Sequence, residues 1–148
     1  MQPAKLNGST FSGPAALSSL TGLGTKEICT AIRTHFGNIR IKAIFKPQIE
    51  WFLRTCKLRL NHIAFDRSYK RDDKGMWQPI KGPTLERWAK ENQIPDILYL
   101  INVSEHYLVL LNNKICCTQF DGIEDLCESR YLRCHVNELW TVQGTPEI

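Results

Sequence analysis

The spacing of apolar residues changes partway along the chain, and that change constrains the fold more than any other feature. In the first part, apolar side chains recur at helical spacing; from residue 97 onward they fall in short, closely spaced, β-prone runs. Helices first and an antiparallel sheet second define an α+β domain. The 148 residues, 43% of them apolar, suffice for one packed core, so residues 1–148 read as a single domain.

Residues 1–11, with Pro3, Gly8 and Ser9, read as an extended lead-in. Ser12-Gly13-Pro14 opens a helix, with serine as N-cap and proline in the first turn, and Gly22 stops it. A second helix starts at Thr25, carries Ile28, Ile32 and Phe36 on one face and ends at Gly37. A third starts at Pro47, with Ile49, Phe52, Leu53 and Cys56 aligned. Residues 60–65 suit a short strand, and 66–82 an exposed loop containing Trp77. Pro83-Thr84 starts a short helix that turns Leu85, Trp88 and Ala89 inward. Strands are expected at 97–103, 107–111, 115–118, 131–136 and 139–142, with Asn112-Asn113 as a hairpin turn. Trp88 and Trp140 fit the core, whereas Trp77 suits a substrate groove or partner surface.

The net charge is +4, and its densest stretch mixes Arg67, Lys70, Arg71 and Lys74 with Asp66, Asp72 and Asp73. Such mixed signs describe a solvated loop better than a nucleic-acid groove. No apolar run is long enough to span a membrane, and residues 1–10 lack the apolar stretch of a secretory signal. The six cysteines, at 29, 56, 116, 117, 127 and 134, read as reduced thiols in a cytosol, with Cys29 and Cys56 on apolar helix faces. Zinc-type paired spacings are absent, and the adjacent Cys116 and Cys117 would point to opposite faces of a strand, so neither metal nor cofactor is expected.

Two residues stand where chemistry could occur. At position 12 a side chain meets the positive end of a helix and its unpaired backbone N–H groups. A cysteine there becomes a thiolate nucleophile, whereas a serine gains much less and can serve simply as an N-cap. His106 begins the alternating run His106-Tyr107-Leu108-Val109-Leu110, where it can project into a cleft. His35, His62 and His135 have weaker contexts.

The segment Phe11-Ser12-Gly13-Pro14-Ala15-Ala16-Leu17, followed by Leu20-Thr21-Gly22, resembles the Cys-Gly-Pro-Ala-Ala-Leu and Leu-Thr-Gly segments of small papain-like cysteine peptidases. These proteins are common in bacteriophage genomes and related to bacteriocin-processing peptidases. Residues 102–109, Asn-Val-Ser-Glu-His-Tyr-Leu-Val, resemble that family's Gly-His-Tyr-Val-Val strand, and 136–142 its closing strand. The resemblance implies a papain-like fold and a hydrolase of peptide or isopeptide bonds. It sets Ser12 at the nucleophile and His106 at the base. The third member would lie near Cys117 or Thr118, neither of which orients an imidazole; Asp121 is the preferred candidate and Gln119 a weaker one. The family's oxyanion glutamine has no counterpart at Leu6. Asn7 is the nearest amide on spacing, Gln2 the other, although Asn7-Gly8 also reads as a plain turn.

With serine at position 12, either engineered or a natural loss, the chain is expected to be inactive, and with cysteine there to act on a protein or peptide substrate. The alternative is a non-catalytic papain-like module that binds a host protein.

Overall fold

A computed structural model describes residues 1–37, 44–65, 69–116 and 122–147. Within them the chain is α+β. Helices α1 (Ser12–Thr21), α2 (Thr25–Phe36) and α3 (Lys46–Thr55) come first, and α4 (Leu85–Asn92) precedes most of the sheet. The strands are β1 (Arg59–Ala64), β2 (Tyr69–Arg71), β3 (Trp77–Pro79), β4 (Leu98–Val103), β5 (His106–Leu111), β6 (Lys114–Cys116), β7 (Ile123–Asp125) and β8 (Val136–Gln143). Six of them form one antiparallel sheet in the order β1-β8-β4-β5-β6-β7, and β2 and β3 pair separately.

Strand alternation sends side chains to two cores. Leu100, Tyr107, Val109, Trp140 and Val142 pack with α1, α2 and α3 on one face. Tyr99, Ile101, Leu108, Leu110 and Leu139 pack with Leu85, Trp88 and Ala89 of α4 on the other. Covered on both faces, β4 is almost wholly buried, which is why its sequence reads as a continuous apolar run. Among the described residues, no helix is long and apolar enough to cross a membrane.

The helix boundaries follow the sequence signals closely. Gly22 closes α1 at φ 80°, a left-handed cap that glycine adopts without steric cost. Thr84 caps α4 by accepting the Arg87 N–H. Asn112 and Asn113, at φ 47° and 60°, make the two-residue turn that pairs Leu111 with Lys114. Residues 1–11 are tied down rather than loose: Ser18 Oγ accepts the Lys5 N–H, and Ser19 Oγ donates to the Gln2 carbonyl.

Three expectations are corrected. The stretch read as an exposed loop contains the hairpin β2–β3, although both strands are exposed as expected. Residues 131–134 form a turn and bend, His135 makes a lone bridge to Thr84, and the strand starts only at Val136. The carbonyls of Leu132 and Cys134 accept from Glu86 and Leu85 at the start of α4, so the first-turn donors of a helix take the place of a strand partner. Strand β7 was not anticipated; its Glu124 and Asp125 look like loop residues, yet charge is common on an edge strand.

Gly82 is required by contact. A Cβ there would lie 2.2 Å from the Val136 carbonyl oxygen, where the 82–83 segment crosses the start of β8. Gly82→Ala is therefore expected to lower the unfolding free energy by about 1–3 kcal/mol. Urea denaturation checks this through a lower midpoint at unchanged slope.

Candidate functional site

Helix α1 begins without a side-chain cap. Phe11 holds the N-cap position in extended conformation, and Ser12 is the first helical residue, which corrects the N-cap reading of Ser12. Within the helix the first N–H to bond is that of Ala15, to the Phe11 carbonyl, and Pro14 has none to offer. The helix N-terminus thus presents the backbone N–H groups of Ser12 and Gly13. Gly13 is small because Ile44 presses on it: a Cβ would meet the Ile44 Cβ at 3.0 Å.

The Ser12 hydroxyl serves the sheet. Its Oγ accepts the Tyr107 backbone N–H at 3.2 Å, joining the start of α1 to the start of β5. Bond lengths then confine Ser12 Oγ to within about 6 Å of the His106 Cα. Both residues line one cleft of about 1170 Å³, at the end of the sheet where β4 stops and β5 and β8 begin. Ser104 and Glu105 link β4 to β5 in a two-residue turn at φ 45° and 69°, which sets His106 opposite Val103. Two non-glycine residues in the left-handed region cost about 1–2 kcal/mol each. That strain sits on the cleft wall.

His106 is half-buried, with its ring 5.2 Å from that of Tyr131. Among the described residues no hydrogen bond reaches the His106 ring, and none joins it to Ser12. Ser12 and His106 share the cleft without a bond between them. Asp121, Cys117, Thr118 and Gln119, the candidates for orienting the ring, lie outside the described residues. Asn7 is used elsewhere. Its Oδ1 accepts the Lys26 N–H at 2.9 Å and its Nδ2 donates to Glu27, so it holds the start of α2 and does not line the cleft.

The cleft also holds Asn102, Asn137 and His135, of which only His135 is considered from sequence, as a histidine of weaker context. Asn102 is buried on β4 and accepts from Asn137 Nδ2 at 3.0 Å. An asparagine inside an apolar strand was the available signal, because a buried amide must find partners. The third, His135, donates from Nδ1 to the Gly82 carbonyl at 2.6 Å.

Beside Asn102, burial pushes the Tyr107 phenol from 10.0 to about 12; the Glu138 carboxylate adds to the rise and the Asn102 amide opposes it. Among the described residues no cluster of histidine, cysteine and carboxylate side chains could hold a metal ion. No family model matches the chain, and no curated protein matches it.

The Tyr107 shift has a sign that can be checked. The folded state keeps a proton that the unfolded chain releases above its ordinary value of 10.0, so stability is intact below about pH 10 and falls as pH rises toward 12. In Tyr107→Phe the phenolate absorbance that develops last in an ultraviolet titration is expected to disappear. The fall in stability over the same window is expected to become shallower.

Proposed function

We propose that the cleft is a papain-like thiol-hydrolase site, of peptidase or isopeptidase type, with serine at its nucleophile position. One observation carries the reading: the residue-12 side-chain oxygen lies in the first turn of a buried helix, accepts a backbone N–H, and shares a cleft with His106 one residue away from that donor. A cysteine sulfur there would have its anion favoured by the helix N-terminus and by the Tyr107 N–H.

In such a form His106 takes the thiol proton and the sulfur attacks the carbonyl carbon. The first-turn N–H groups of α1 receive the oxyanion. The amine leaves with the proton from His106, and water, deprotonated by the same ring, then cleaves the thioester. With serine the hydroxyl keeps its proton at neutral pH, and the first step fails. The buried thiols Cys29, Cys56 and Cys116 suit a reducing compartment such as a cytosol, that of the host if the gene is a phage's.

A second reading, a non-catalytic module that engages a host protein, is favoured by the structural use of the Ser12 hydroxyl: a serine meets the Tyr107 N–H with no chemistry required.

Introducing the thiol separates the two. Ser12→Cys is expected to be alkylated by iodoacetamide at about pH 6, well below the ordinary thiol value of about 8.5. Labelling should be faster than at exposed Cys127, and faster than at Cys29 and Cys56, whose thiols burial pushes up. His106→Ala should remove the advantage, and His135→Gln should leave it. Peptide mass spectrometry reads the site. Labelling no faster than at Cys127, with or without His106, overturns the hydrolase reading.

A further inference from the structure

Large apolar side chains are left exposed along one continuous path. Phe11 and Phe45 stand at the cleft, Tyr69 and Pro79 line its wall, and Trp77, 61% exposed, continues outward along the hairpin. Register explains the path. Tyr69 pairs with Pro79 and Arg71 with Trp77, so these four side chains share one face of the hairpin while Lys70 and Gln78 share the other. The face that lines the cleft is therefore the face that carries Arg71 and Trp77. Arg71 lies over the Trp77 ring, 5.0 Å from its centroid.

The charges on this arm are unequal in availability. The Asp72 carboxylate is consumed by the turn, accepting from the Lys74 and Met76 N–H groups and from Gln78 Nε2, which holds it below its ordinary value. Among the described residues no carboxylate pairs with Arg71 or with Lys81, which lines the cleft beside the hairpin. An aromatic shelf with unpaired cations beside it fits an apolar side chain next to a carboxylate. The volume exceeds that of a typical small-ligand pocket and suits several residues of extended chain.

We infer that hairpin β2–β3 is a recognition arm for an extended peptide segment that carries an apolar or aromatic residue next to an acidic one. The inference rests on reading the cleft as a substrate site, and gives that substrate a class. The apolar side chain lies on Tyr69, Pro79 and Trp77, and the acidic one meets Arg71, which shares their face.

The test uses the full chain with Ser12 in place, so that nothing is turned over. Fluorescein-labelled, terminally blocked peptides of Gly, Ser and Thr carry a central Phe-Asp, Phe-Asn, Phe-Lys or Ala-Asp pair, and anisotropy reads their binding. Phe-Asp is expected to bind about tenfold tighter than Phe-Asn, and Phe-Lys weakest. Arg71→Ala should abolish the Phe-Asp preference while leaving Phe-Asn binding unchanged. Trp77→Ala should weaken both Phe peptides by about threefold or more. Raising salt from about 50 to about 500 mM should erase the preference as well. Both variants alter exposed hairpin positions, and an unchanged melting temperature checks that the fold persists.

Failure of Phe-Asp to bind, a preference that survives Arg71→Ala, or equal binding of Phe-Lys overturns the inference. So does displacement of bound Phe-Asp by single-stranded oligonucleotide, or self-association in sedimentation that Trp77→Ala abolishes. Peptide preference without Ser12→Cys labelling would leave the arm standing and remove the hydrolase reading. Labelling without peptide preference would remove the arm alone.

Discussion

The burial of α1 on every side is the constraint from which the rest of the structure follows. Every residue from Gly13 to Thr21 is buried. A helix enclosed in this way needs small side chains where its neighbours approach and partners for each polar one. Gly13, Ala15, Ala16, Ser18 and Ser19 supply the first, and Leu17 and Leu20 supply apolar bulk, worth about 1.5–3 kcal/mol for each leucine fully buried. The second condition recruits the rest of the chain: Ser18 and Ser19 bond the lead-in, and Thr21 bonds back to the Leu17 carbonyl. The lead-in is ordered because it completes α1. The start of the helix opens into the cleft at the end of the sheet.

A polar band crosses the same face of the sheet beyond the cleft. Register aligns Tyr107, Asn102 and Glu138 on neighbouring strands, and His62 Nε2 lies 2.9 Å from Glu138. Lys46 Nζ lies 3.3 Å from His62 Nδ1 and can only donate, so Nδ1 accepts and Nε2–H donates to the carboxylate. Glu50 then takes the Trp140 indole N–H. Lys46 thereby sets the His62 tautomer that donates to Glu138. The band also sets the Glu138 charge near the Tyr107 phenol, where it reinforces the effect of burial.

The helices were legible because their signals are local. Gly22, Gly37 and Thr84 mark ends that no distant contact alters, and the α4 face of Leu85, Trp88 and Ala89 follows from spacing alone. The turn and bend at 131–134 were not legible. Tyr131, Leu132 and Val136 are apolar enough for a strand, and it is the start of α4, far earlier in sequence, that claims the carbonyls of Leu132 and Cys134. The site divides the same way. Ser12 and His106 stand at element starts, which local patterns reveal. Asn7 lies outside the cleft because its partners, Lys26 and Glu27, belong to a helix that proximity in sequence to Ser12 does not indicate. His135 was passed over because its orientation comes from Gly82, a contact across 53 positions.

The single atom at position 12 then has two separable roles. As an acceptor at 3.2 Å, the oxygen satisfies the Tyr107 backbone N–H of β5. A sulfur accepts more weakly and needs more room, so the serine is the better structural residue. As a nucleophile the order reverses. The helix N-terminus and one backbone donor supply a modest stabilisation of the anion, of the order of 1 kcal/mol or somewhat more. That is enough to shift a thiol of ordinary pKa near 8.5 toward neutrality, but far too little to ionise an alcohol. The same field therefore favours a thiolate over a thiol at this position while a serine hydroxyl keeps its proton.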